Sequence, residues 1–127
     1  MTGPSWIYFL HPPRPNFAET MTEAEGAVFA EHFDHLQRLL ADGVLVLAGP
    51  TLGETNTGIA IFDAPDEAAA RAIMESDPAI ARQVVRGELR ELRVSLLRGG
   101  DWRRSVVCSR RNALTRRQLT TGQWWCV

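Results

Sequence analysis

The sequence predicts an α+β domain of the ferredoxin-like type, β-α-β-β-α-β, built on one antiparallel four-stranded sheet. Two observations predict it. Four strand-like runs and two helical regions follow one another in that order within about 98 residues, each bounded by Gly, Pro or a capping residue. The 127 residues are 45% apolar, an ordinary globular value that suffices for one buried core.

The elements follow in order. Residues 6–11, WIYFLH, are aromatic and β-branched and stop at Pro12-Pro13, which cannot pair in a sheet. Residues 14–17, RPNF, read as a loop. Thr22 and Glu25, in T-E-A-E, form a capping box that starts a helix running to about residue 41. At 100° per residue with Val28 at zero, Leu39, Leu36, Phe29, Leu40 and Phe33 span an arc of about 20° to 140°. His32 falls inside that arc at about 40°, where Leu or Ile is expected. His35 falls at its margin, at about 340°, and reads as a surface residue.

Asp42-Gly43 ends the helix, because Gly tolerates the left-handed position after a helix C-terminus. Residues 44–48, VLVLA, are continuously apolar, which predicts a strand buried on both faces and stopped by Gly49-Pro50. Residues 51–57 are turn-rich, and 58–64, GIAIFDA, give a hairpin partner. Asp66 caps a helix from 67 to about 75. Ser76-Asp77-Pro78 signals a second, short helix over 78–85, with Pro at its first position. The last strand is placed at 88–97, where Leu92, Val94 and Leu96 alternate with polar residues. Both helical regions fall on one face of such a sheet. The other face keeps its own apolar side chains, which predicts a homodimer packed sheet to sheet.

The charge is uneven. Residues 1–98 hold 8 Arg and 14 acidic side chains, whereas 99–127 hold 6 Arg and only Asp101, and there is no Lys. The domain is therefore drawn at 1–98. The Arg- and Trp-rich remainder, 99–127, shows no period and is read as a disordered or non-native extension. A nucleic-acid strip and a partner-binding arm are the weaker readings of that segment. Its Cys108 and Cys126 are the only cysteines and lack metal-ligand spacing, so no disulfide framework is expected. No run approaches the ~18 apolar residues of a membrane span, and 6–10 is too short for a signal peptide. A soluble cytoplasmic protein is expected.

Three stretches carry a family resemblance: RPNFAETMTEAE (14–25), EHFDHLQRLLADGVLVLAGP (31–50) and ESDPAIARQVVRGELRELRVSLL (75–97). They resemble the YCII-related family over about residues 5–98. Its most specific marks here are His32, Ala48-Gly49-Pro50 and Asp77-Pro78. The resemblance implies a dimeric α/β barrel and a site built on a His-Asp pair, with the roles falling on His32 and Asp77. It also implies no metal and no organic cofactor, and it brings no assigned reaction. A Pro common in the family's last strand is absent near Glu91, and 99–127 has no counterpart.

A His beside a carboxylate has its tautomer fixed and its cation stabilised, leaving the other nitrogen to exchange protons near neutral pH. That suits isomerisation, lactone rearrangement or elimination on a small carbonyl- or carboxylate-bearing molecule. Structural readings stand beside it. His32 also reads as a buried residue bonded to backbone, and Asp77 as an ordinary helix cap. His11, at the end of the first strand, and Arg14, in the loop after it, are candidate substrate-binding groups, against plain solvated positions. No metal site is expected from the His32/His35 spacing, since no further ligand pair accompanies it. There is no G-x-S-x-G elbow and no phosphate-binding glycine loop. The alternatives to an enzyme are a small-ligand binding or sensor module and a partner-binding domain.

Overall fold

The computed structural model describes residues 4–98. The chain runs β1 (Ser5–His11), α1 (Phe17–Thr20), α2 (Glu23–Ala41), β2 (Leu45–Pro50), β3 (Gly58–Asp63), α3 (Glu67–Glu75), α4 (Pro78–Ala81) and β4 (Arg86–Leu92). The strands form one sheet in the order β2-β3-β1-β4, with every pairing antiparallel. This is the ferredoxin-like arrangement. Thr2–Arg93 make one compact unit; in the other, residues 94–98 carry no helix or strand. The 99–127 extension lies outside the described residues.

Alternation along the two central strands decides what each face does. Trp6, Tyr8 and Leu10 of β1 and Ala60 and Phe62 of β3 point to one side and are buried with Val28 and Leu36 of α2, Ala70 and Met74 of α3, and Ala79 of α4. Ile7, Phe9, Ile59 and Ile61 occupy the opposite side and are only half-buried. Their ladder partners Glu88 and Arg90 share that open face.

The helix ends follow their capping chemistry. Thr22 Oγ1 accepts from Glu25 N–H at 3.1 Å, and Glu25 Oε1 accepts from Thr22 N–H at 2.9 Å. Asp66 Oδ1 accepts from Ala69 N–H at 2.9 Å and starts α3. Gly43, at φ +76°, ends α2. β4 approaches α4 so closely that a Cβ on Gly87 would lie 2.9 Å from Ile80 Cδ1, and its lack of a side chain permits that contact.

Four sequence expectations need correction. The loop after β1 contains the short helix α1, entered through Asn16 in the left-handed region and held by Asn56 Oδ1 on Ala18 N–H. β2 is not buried on both faces. It is an edge strand with Leu47 46% exposed, which is also why Pro50 can remain inside it. α4 stops at Ala81, short of 85, because Gln83 takes φ +60°. β4 lies at Arg86–Leu92, earlier than 88–97. The ladder with β1 ends where Ser5 stands opposite Leu92.

Candidate functional site

Asp77 is the N-cap of α4, between Ser76 and Pro78. Its Oδ1 accepts from Ala79 N–H at 2.9 Å, as a cap should. The carboxylate does more than cap. It is wholly buried, and a buried carboxylate needs donors for its lone pairs. The Tyr8 hydroxyl donates to Oδ2 at 2.6 Å, and His32 Nδ1 lies 2.8 Å from both oxygens. Burial pushes the Asp77 carboxyl up. The bonds from His32 and Tyr8, the His32 charge and the Ala79 amide outweigh burial and leave it below its ordinary 3.8. An ionised carboxylate only accepts, so the proton of that contact sits on His32 Nδ1. Nε2 is left as the ring nitrogen without a hydrogen-bond partner among the described residues.

Helix geometry brings His32 there. It projects from the core-facing side of α2, and α2 packs against α4. Phe29, one turn earlier, tilts against the imidazole with centroids 4.9 Å apart and limits its rotation. The His32 side chain is 12% exposed. It opens onto a cavity of about 670 Å³ between α2 and the β2–β3 hairpin, with Phe17, Met21, Phe29, Phe33, Leu36 and Leu45 in the walls. Among the described residues, the polar side chains there are His32, Gln37 and Asn56, and no Arg lines it.

The other candidates lie elsewhere. His11 is on the open face of the sheet, with Nε2 2.8 Å from Glu88 Oε1, and borders a separate depression of about 460 Å³ with Pro12, Pro13 and Arg86. The Arg14 guanidinium is committed to Glu25 at 2.7 and 3.1 Å and lies over the Phe17 ring. Those bonds, with the Thr22 amide, hold the Glu25 carboxyl down at about 2. Neither His11 nor Arg14 borders the cavity beside His32. His35 is not a surface residue. It is buried, because α3 closes over the margin of the α2 arc, and burial lowers its proton affinity. Among the described residues no group of three or more His, Cys, Asp or Glu is placed to hold a metal ion, and no helix is long and apolar enough to cross a membrane.

Tyr8 escaped the sequence reading. The signal was present: it is the only Tyr in the chain, and it shares the core-facing phase of β1 with Trp6 and Leu10. A Tyr at such a position needs a partner for its hydroxyl.

Comparison with known proteins places these features in context. The family model of the YCII-related domain matches residues 6–95. Among solved structures, 5-chloro-2-hydroxyhydroquinone dehydrochlorinase (TftG) from Burkholderia phenoliruptrix AC1100, in complex with 2,5-dihydroxybenzoquinone, superposes with a TM-score of 0.53 at 18% identity, covering 76% of this chain and 99% of that one. At that identity the likeness is one of fold. A REP-associated tyrosine transposase bound to a REP hairpin superposes with a TM-score of 0.40 at 10% identity, over 75% of this chain and 59% of that one, too little to carry an argument. No curated protein matches the sequence significantly.

Proposed function

The chain belongs to the YCII-related family, and from that premise we propose that it is a small enzyme performing acid–base chemistry with His32 and Asp77. The observation that carries the reading is the bond from His32 Nδ1 to a fully buried Asp77 at 2.8 Å, on the wall of an apolar cavity. Asp77 holds the tautomer that leaves Nε2 with a lone pair. Nε2 takes a proton from a carbon or hydroxyl next to a carbonyl. The Asp77 charge stabilises the imidazolium so formed, and the proton returns to a different atom of the substrate or to a leaving group. Isomerisation and elimination both fit this cycle, and neither calls on a cofactor.

The cavity suggests what enters. Its walls are apolar, with Phe17, Phe29 and Phe33 among them, and Arg14, the candidate for holding an anion, is bound to Glu25. A compact ring bearing a carbonyl or enol suits these walls better than a multiply charged acid. The similar fold of a dehydrochlorinase that acts on a hydroxyhydroquinone agrees with an elimination on such a ring. A second reading, binding without turnover, is supported by the scarcity of polar groups in the same walls.

A thermal-shift screen of cyclic ketones, lactones and phenolic acids tests both readings on wild type and His32→Ala. The enzyme reading expects a hit whose turnover drops by roughly 10²–10⁴-fold in the variant. A hit bound by both proteins and converted by neither would leave only the binding module. We also propose that two chains pack through their open sheet faces, completing the barrel known for this family.

A further inference from the structure

We infer that Tyr8 is a positioning residue of the site: its hydroxyl, donating to Asp77 Oδ2 at 2.6 Å, shares the carboxylate with His32 and fixes how much of that charge the imidazole receives. The inference concerns the same site and rests on the acid–base reading only for its consequence, not for the contact.

The geometry favours a set role over incidental packing. Tyr8 sits in the middle of β1, a central strand, paired to Ala60 on one side and Leu89 on the other. Its ring is fully buried and meets Phe62 edge-on at 5.7 Å, so it cannot swing away. The hydroxyl therefore arrives at Asp77 from the sheet side, while His32 arrives from α2 and the Ala79 amide from α4. Three donors from three elements fix one carboxylate. The groups facing Asp77 that carry or can carry charge are His32 and, one turn on, His35; the Glu31–Arg82 pair bridges α2 to the end of α4 at the exposed side. Burial beside the Asp77 charge pushes the Tyr8 phenol far above its ordinary value, so it remains a donor throughout the working pH range. Each hydrogen bond that Tyr8 gives to the carboxylate draws density from the oxygen that His32 also contacts. Tyr8 thereby moderates the pair and holds the carboxylate where His32 contacts it.

One property makes the test clean. Tyr8 is the only tyrosine in the chain, so growth on 3-fluorotyrosine alters this one side chain and no other. Fluorine withdraws electrons and makes the phenol a stronger donor; Tyr8→Phe removes the donor. The full chain would be followed by carbon-13 NMR of the Asp77 carboxyl during acid titration. The carboxyl is expected to titrate higher than wild type in Tyr8→Phe and lower in the fluorotyrosine protein. A packing role alone moves neither. Unchanged titration in both proteins, or a shift in the same direction, overturns the inference. If Tyr8→Phe does not fold, the fluorotyrosine protein decides by itself. The readout needs no substrate, so it survives failure of the proposed activity. Turnover lost in His32→Ala with Asp77 titration unmoved would retain the activity and discard the role of Tyr8.

Discussion

At the scale of single residues, Asp77 concentrates the most consequence in the fewest atoms. Its carboxylate ends one hydrogen bond from each of three elements, so Asp77→Ala strands the Tyr8 hydroxyl, the Ala79 amide and one His32 nitrogen inside the core. Breaking a buried pair by removing one partner costs about 3–5 kcal/mol. Urea unfolding of Asp77→Ala is expected to show a loss in that range, whereas a plain helix cap would cost only about 1 kcal/mol. His35 gives a second prediction, with the sign set by its burial. Its folded-state affinity for a proton lies below the ordinary 6.5, because burial, Arg38 and His32 oppose its charge more than Asp77 and the Ile73 carbonyl favour it. Below pH 6.5 the unfolded chain therefore binds the extra proton. The stability that His35 contributes is full above that pH and drains as pH falls toward the folded-state value. His35→Leu should flatten the urea midpoint against pH below 6.5, and an unchanged slope would show that His35 titrates alike in both states.

At the scale of elements, α2 determines both what is packed and what is left open. Its apolar arc is wider than the sheet can cover. Val28, His35 and Leu36 are buried, while Phe33 is 60% and Leu40 54% exposed along the edge that borders the cavity. That edge therefore serves the cavity more than the core. Phe33→Ser is expected to change stability by about 0.5 kcal/mol or less, the usual cost of a surface change, while weakening the thermal shift of any cavity ligand. A large loss of stability would place Phe33 in the core instead. The same helix shows how much was legible beforehand. The T-E-A-E box gave its start, Gly43 its end, and the phase of His32 its inward direction, because each is a local property of a 3.6-residue repeat. The burial of His35 was not legible, since it depends on α3 lying alongside. The last strand was placed late because the alternation of Leu92, Val94 and Leu96 continues past the Ser5–Leu92 pair, where the ladder with β1 ends. The His32–Asp77 contact spans 45 positions, and no local pattern encodes it. His32 drew notice by its place in the apolar arc and Asp77 as a cap, and the family resemblance paired them, whereas Tyr8 required the sheet phase and the α4 cap to be considered together.

At the scale of the whole molecule, the open sheet face remains to be explained. Ile7 pairs with Ile61, and Ile61 in turn pairs with Leu47, so a row of large aliphatic side chains crosses β1, β3 and β2 on the side away from the helices. Phe9 extends the row and stacks on His11 at 5.8 Å, with the Glu88–Arg90 pair at its border. An apolar centre with a charged rim is the anatomy of a protein interface, and β-sheets stack at about 10 Å when such faces meet. Ile61 lies at the middle of the row and makes no contribution to the helix-side core, so it separates association from folding. Ile61→Asp would set a carboxylate of one chain in the centre of the opposing face, where it has no partner and must be desolvated. Light scattering is expected to give twice the 14.2 kDa chain mass for wild type and a single chain mass for Ile61→Asp, with the far-ultraviolet circular dichroism unchanged. Wild type running as a monomer at every concentration would remove the barrel. A variant that stays dimeric would move the interface to another face. Because the cavity beside His32 opens on the helix side of the sheet, the monomeric variant is also expected to keep its ligand shift, which separates assembly from chemistry in one protein.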